Sequence, residues 1–153
     1  MLSQSHYINE LLKYFEIDNC NTTKTLLPPE TDLSNLVLTN IKQSKIKSVF
    51  YLSAMESLQY LVTITWLDTT YAVSYLRRCN YNPHLTHWNA LKHLLCYLKE
   101  TSNYKLIYKE SNDLKMFQTY SNTLYGSYKQ SHHSTDRYAT IVYDGAVGQS
   151  LKH

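Results

Sequence analysis

Leu85-Thr86-His87-Trp88-Asn89-Ala90-Leu91-Lys92-His93-Leu94-Leu95-Cys96-Tyr97-Leu98-Lys99-Glu100-Thr101, followed by Tyr104-Lys105-Leu106-Ile107-Tyr108-Lys109, is where the hydrophobic period of this chain changes. Trp88, Leu91, Leu95 and Leu98 recur three and four residues apart, the spacing that lines one face of a helix. Asn82-Pro83 stands just before them and breaks whatever precedes. Beyond Thr101 the pattern shortens to alternation. Tyr104 to Lys109, Leu114 to Tyr120 and Tyr138 to Tyr143 are rich in β-formers and predict short strands.

Upstream the helical period dominates. Ile8, Leu11, Leu12 and Phe15 predict an amphipathic helix over 4–15, with Ser3 as its N-cap. Tyr51, Ala54, Leu58 and Leu61 share one face of a helix from about 48 to 64. Asp68 is placed to cap the next helix, which runs to about Cys79. Residues 19–46 hold Pro28-Pro29 and Thr and Asn clusters with little periodicity, and read as a linker. Helices first and strands afterwards predict an α+β arrangement.

Composition sets the bounds. At 153 residues the chain suits one domain or two partial ones. Hydrophobic residues make up 43%, enough for a core. No apolar run approaches the roughly 18 residues that span a bilayer, so no membrane partner is expected. The N-terminus has no charged-then-apolar signal pattern. Cys20, Cys79 and Cys96 are odd in number and widely spaced, which predicts free thiols in a reducing, intracellular compartment. A net charge of +3 permits nucleic-acid contact without establishing it. Glycine is scarce: 3 residues, against roughly eleven at the usual frequency of about 7%.

Tyr120-Ser121-Asn122-Thr123-Leu124-Tyr125-Gly126-Ser127, then Ser134-Thr135 and Tyr138, carries a recognisable skeleton. It resembles the opening strand and hairpin of the ribonuclease H domain in copia-type retrotransposon Pol polyproteins, where the pattern reads Y-S-D-A-D-W-A-G and then S-T-S-G-Y. Further blocks resemble the same family in order and spacing. Leu2-Ser3-Gln4, Tyr7-Ile8, Leu11-Leu12 and Phe15 are similar to its L-S-Q-x-x-Y-I-x-x-L-L-x-x-F segment. Tyr51, Ser53-Ala54, Ser57-Leu58, Tyr60-Leu61, Asp68 and Tyr71-Ala72-Val73 follow its middle block. Pro83, His87-Trp88, Ala90-Leu91-Lys92 and Tyr97-Leu98-Lys99 look like its P-x-x-x-H-W-x-A-L-K-x-x-L-R-Y-L-K-G-T. Only the region around 24–49 matches poorly.

The resemblance implies three segments: 1–46 as the end of the reverse-transcriptase domain, a helix plus linker; 47–101 as a helical thumb- or connection-like segment; and 102–153 as a partial ribonuclease H-like β region. The fold it implies is therefore the helical segment followed by the opening strands of an incomplete ribonuclease H-like fold. The family activities are RNA-directed DNA polymerase and cleavage of RNA–DNA hybrids with Mg. Here the implied catalytic aspartates are replaced by Asn122 and Leu124. Magnesium wants anionic oxygen ligands, and two such ions are needed for the cleavage. An Asn amide is neutral and Leu124 offers no ligand. The polymerase Y-V-D-D hairpin would lie upstream, and no Asp-Asp pair occurs in the sequence. The expectation is a degenerate, inactive fragment with no catalytic residues, no metal site and no cofactor of its own.

Departures from the family pattern run in one direction. Family glycines become Glu56, Glu100, Ser127, Arg137 and Asp144; arginines become Trp66, Cys96 and His132; prolines become Leu26 and Leu67. Nearly all can follow from single C-to-T or G-to-A transitions, a pattern of cytosine deamination. Leu124 and Gln149 do not fit it.

Three constellations invite chemistry. His84, His87, His93 and Cys96 sit on or before one helix, but their spacing matches no standard zinc motif and an ordinary helix face is the stronger reading. Arg77, Arg78, Lys92 and Lys99 interleave with Trp88 and several tyrosines, a composition that grips phosphates and stacks bases. The resemblance implies an RNA–DNA hybrid or a template–primer duplex as their partner, together with the remainder of the Pol polyprotein. A non-enzymatic nucleic-acid-binding remnant is thus the alternative to an inert fragment. A third reading, a nuclease with substitute carboxylates at Asp136 or Asp144, requires a coincidence of geometry.

Overall fold

The computed structural model describes residues 2–28, 48–108, 117–124, 135–142 and 145–152. Four α-helices are followed by three strands: α1 (Ser5–Tyr14), α2 (Ser48–Ile64), α3 (Thr70–Arg77) and α4 (Leu85–Glu100), then β1 (Phe117–Leu124), β2 (Thr135–Val142) and β3 (Gly145–Lys152). A short 3-10 turn, Leu67–Thr69, leads into α3. The chain is α+β, with the helical part first.

The helices form because their apolar spacing gives each a stripe that must be covered. One continuous core joins Ile8, Leu11, Leu12 and Phe15 of the first helical turns to Tyr51, Leu58 and Leu61 of α2, Val73 and Leu76 of α3, and Leu91, Leu94, Leu95 and Leu98 of α4. Tyr51 is fully buried, and its hydroxyl donates to the Leu76 carbonyl at 2.9 Å. That bond satisfies the one polar atom Tyr51 carries into the core, and burial pushes its phenol pKa well above the usual range.

Helix α1 ends in a Schellman motif. The Glu16 N–H donates to the Lys13 carbonyl at 3.1 Å and the Ile17 N–H to the Leu12 carbonyl at 2.8 Å. Ile17 and Leu12 are both buried, the apolar contact that accompanies this motif. Glu16 sits at φ 56°, in the left-handed region where glycine is usual. Without a glycine there, the sequence pattern did not announce the motif.

Several local expectations shift. The N-cap of α1 is Gln4 rather than Ser3. The Gln4 side chain instead accepts a hydrogen bond from the Thr65 hydroxyl, tying the start of α1 to the end of α2. Asp68 does not cap α3: it lies in the 3-10 turn, Thr69 holds the cap position, and Asp68 accepts from the Tyr97 hydroxyl at 2.5 Å. The Thr69 and Thr70 hydroxyls close that turn by donating to the Trp66 and Leu67 carbonyls. The expected strand over Tyr104 to Lys109 reduces, among the described residues, to one antiparallel bridge between Leu106 and Leu2.

The three strands form an antiparallel sheet in the order β1-β2-β3. β1 reaches past Tyr120 to Leu124, and Asn122 pairs with Arg137. β2 begins at Thr135, three residues earlier than alternation suggested. β3 carries an irregularity opposite Thr140 and Ile141: Gly148 faces Thr140 and Ala146 faces Ile141, leaving Val147 between them. Such a bulge accounts for a glycine inside a strand. β3 lies against α3 and the 3-10 turn, and the Tyr108 hydroxyl donates to the Ala146 carbonyl at 3.2 Å. The sheet's described side chains are exposed or half-buried, so the hydrophobic core belongs to the helices. Residues 29–47, the larger part of the expected linker, lie outside the described residues, as do Lys109, Leu114, Ser127, His132, His133, Tyr143 and Asp144. No helix among the described residues is long and apolar enough to cross a membrane.

Replacing Glu16 by glycine removes the cost of holding a side chain in the left-handed region. The expected result is a gain of about 1 kcal/mol in urea denaturation, with the slope of the transition unchanged.

Candidate nucleic-acid interface

The basic and aromatic side chains of the helical part divide into those that remain at the surface and those the fold has already used. Arg77 is exposed in the last turn of α3, where a cation also complements the helix dipole. Arg78 follows it and lies over the Tyr75 ring at 5.4 Å; Tyr75 itself stacks near Tyr71 at 6.0 Å. Partial burial lowers the Arg78 pKa, while Tyr75 and Tyr71 act against that shift. Lys92 extends over the Trp88 ring at 5.7 Å. Both cations are placed as cation–π partners at the surface.

Trp88 is not a free stacking platform. It is 8% exposed and wedged between Phe15 at 6.3 Å and Phe50 at 5.3 Å. Lys99 is also engaged: its ammonium donates to the Asp18 carbonyl at 2.8 Å and to the Cys20 carbonyl at 2.9 Å. It holds the segment after α1 against α4. Of the five residues singled out from sequence, Arg77, Arg78 and Lys92 present charge outward, whereas Trp88 packs and Lys99 braces.

The histidines and Cys96 do not converge. His84 and His87 sit at the start of α4, with rings 5.5 Å apart. They form a capping box, in which the His84 N–H donates to His87 Nδ1 at 3.0 Å. His93 points elsewhere, its Nε2 within 3.2 Å of the Thr23 hydroxyl and 2.9 Å of the Thr25 hydroxyl. Cys96 is half-buried at the edge of the core, and burial raises its thiol pKa. Among the described residues no group of three or more His, Cys, Asp or Glu is arranged to hold a metal ion. Sequence spacing missed these uses because each partner lies far away along the chain or in an aperiodic loop.

On the sheet, Asn122 is exposed near the middle of β1. Its register partner is Arg137; next to it Asp136 is in register with Thr123 on one side and Lys152 on the other. Leu124 ends the strand, opposite Thr135.

The described residues thus form helices feeding a small antiparallel sheet, with the outward-facing cations on the helical part. The comparisons with known proteins show the family of the chain. Over 144 residues, 94% of the chain, it is 33% identical to the retrovirus-related Pol polyprotein from transposon RE1 of Arabidopsis thaliana, of which it covers 9%. The Pol polyprotein from transposon TNT 1-94 of Nicotiana tabacum is 34% identical over 103 residues, 66% of this chain and 8% of that protein. The secreted RxLR effector protein 161 of Plasmopara viticola is 34% identical over 107 residues, 70% of this chain and 75% of that protein. No family model matches the chain, and no solved structure matches it. The chain belongs to the copia-type retrotransposon Pol polyproteins, of whose full length it spans less than a tenth.

Two predictions test the local chemistry. Burial, and then the neighbouring His84, lower the His87 pKa below its ordinary value of 6.5. The unfolded chain therefore binds this proton more readily. The stability His87 contributes is complete above the ordinary value and is lost as pH falls through the lowered one. His87→Gln keeps an acceptor for the cap but does not titrate. Its melting temperature is expected to fall less than that of the unmodified chain between about pH 8 and about pH 5; parallel slopes would refute the role of His87. For Lys99→Met, amide exchange at residues 17–25 is expected to accelerate on the order of tenfold, for a loss of roughly 1.5 kcal/mol in bonds to a charged donor.

Proposed function

We propose that this chain is the stretch of a copia-type Pol polyprotein that leads from the end of the reverse transcriptase, through a thumb- or connection-like helical segment, into the first strands of a ribonuclease H-like domain, and that it is catalytically silent. The observation that carries the reading is Asn122. It stands exposed on β1, at the position where the family pattern has aspartate. A neutral amide across the ladder from Arg137 does not assemble a pair of magnesium ions. Helices before a three-stranded antiparallel meander agree with that order of segments.

A second reading rests on Arg77, Arg78 and Lys92. Three cations at the helical surface, two of them over aromatic rings, suit a non-enzymatic contact with nucleic-acid phosphates. The partner in that reading is an RNA–DNA hybrid or a template–primer duplex. The name of the Plasmopara viticola relative states a different role for that protein.

One experiment separates these readings. The chain is incubated with an RNA–DNA hybrid and magnesium, and cleavage and binding are followed across a salt series. No cleavage is expected from the unmodified chain or from Asn122→Asp, since one restored carboxylate does not hold two metal ions. Magnesium-dependent cleavage that disappears in Asp136→Ala would overturn the proposal. Binding that weakens steeply with salt and is reduced in Arg77→Ala/Arg78→Ala would establish the second reading.

A further inference from the structure

One side of α3 carries three planar groups in succession. Tyr71, Tyr75 and Arg78 stand four and then three residues apart, the spacing of neighbours on a helical surface. The Tyr71 and Tyr75 rings are stacked, with 6.0 Å between centroids and 18° between planes. The Arg78 guanidinium lies over the Tyr75 ring at 5.4 Å. Past Arg78 the chain goes on in tight turns, where the Cys79, Asn80 and Asn82 N–H groups donate to the Leu76, Arg77 and Cys79 carbonyls. Residues three apart in such turns fall on one side, and Tyr81 stands three past Arg78 and four past Arg77. Tyr81 is wholly exposed, Tyr71 is 42% exposed, and both arginines are exposed. Charge in this part of the chain has one sign. Between Asp68 and Glu100 the sequence holds Arg77, Arg78, Lys92 and Lys99 and no acidic residue. Asp68 itself accepts from the Tyr97 hydroxyl.

We propose that Tyr71, Tyr75, Arg77, Arg78 and Tyr81 form a strip that binds single-stranded nucleic acid, with unpaired bases stacked on the tyrosines and phosphates held by the two guanidiniums. The strip rests on the contact with nucleic acid read from Arg77, Arg78 and Lys92, and it narrows the partner from a duplex to a single strand. Cations alone do not make that choice, because phosphates of either form release counterions to them. The rings make it. In a duplex each base face is covered by the next pair, so an exposed tyrosine reaches a base face only at an end. In a single strand every base offers its face, and stacking there is tolerant of sequence. Arginine suits both tasks of the strip, since its planar guanidinium stacks on rings and pairs with phosphate oxygens. Tyr81 is the most telling member. A wholly exposed tyrosine adds nothing to the core, yet it stands beside two cations with its ring open to solvent.

The test measures binding of the full chain, by fluorescence anisotropy across a salt series, to a labelled oligothymidylate, an oligouridylate of the same length, and the blunt hybrid of that oligothymidylate with oligoriboadenylate. Both single strands are expected to bind at least ~10-fold more tightly than the hybrid. Tyr81→Ala is expected to weaken single-strand binding roughly tenfold, with the salt slope and hybrid binding unchanged. Tyr81→Phe keeps the ring and should bind as the unmodified chain does. Arg77→Ala/Arg78→Ala should reduce the salt slope for single strand and hybrid alike. Because Tyr81 is wholly exposed, its variants should keep the melting temperature of the unmodified chain, which separates lost binding from lost fold. Hybrid binding as tight as single-strand binding, or single-strand binding that survives Tyr81→Ala, would overturn the strip. The broader contact with nucleic acid would then still stand if the double arginine variant weakened the hybrid. Absence of binding to all three probes at low salt would remove both.

Discussion

The apolar stripe of α4 is the constraint on which the helical part depends. Leu91, Leu94 and Leu95 are completely buried and Leu98 nearly so, which is more apolar surface than one neighbour can cover. Packing α1 and α3 against it leaves room for little but apolar contact. Tyr51, the largest of the fully buried side chains, pairs its hydroxyl with the Leu76 carbonyl. Deleting one such leucine side chain would cost about 2–5 kcal/mol, a large part of the stability of an ordinary domain. The sheet has no comparable anchor. Phe117 and Tyr120 are 67% and 58% exposed, and its strands lean on one another and on α3.

Much of this arrangement was legible in the chain. The helices were readable because Ile8, Leu11, Leu12 and Phe15, and likewise Trp88, Leu91, Leu95 and Leu98, repeat at the helical period, and a stripe so spaced has to be buried. The helix over 48–64 was placed at its observed bounds. Two of the strands were readable as elements but not in their limits; the strand expected over 104–109 is reduced to one bridge among the described residues, and β3 was not foreseen as a strand. β3 combines two glycines with an irregular register, and alternation does not survive a bulge. The bridge of Leu106 to Leu2 was invisible because it pairs the two ends of the helical part.

The candidate site was less legible, for a specific reason. Residue type and spacing gathered Trp88 and Lys99 with Arg77, Arg78 and Lys92, but these cannot tell a lysine offered to solvent from one that grips two carbonyls some eighty positions upstream. The four candidate metal ligands were likewise gathered by spacing and are separated by structure into a helix cap, a contact with two threonines and a half-buried thiol at the edge of the core. Trp66 shows the same limit from the other direction. It stands where the family pattern has arginine, and it is buried with an indole N–H that lacks a hydrogen-bond partner. An unpaired donor of this kind costs about 1–3 kcal/mol, the cost expected when a residue replaces another that the site was built around.

The pairing of Leu2 with Leu106, and of α1 with α4, also has a consequence for the time order of folding. On a ribosome α1 emerges before α2, to which Gln4, Tyr7 and Phe15 attach it, and well before α4, which covers another part of its apolar stripe. The part of that stripe covered by α4 stays unburied until α4 has been made. Contacts between such distant parts of a chain slow closure and lengthen the interval in which unburied side chains meet other molecules. The closure of α1 on α4 therefore comes only after α4 has been made, later than its contacts with α2 become available.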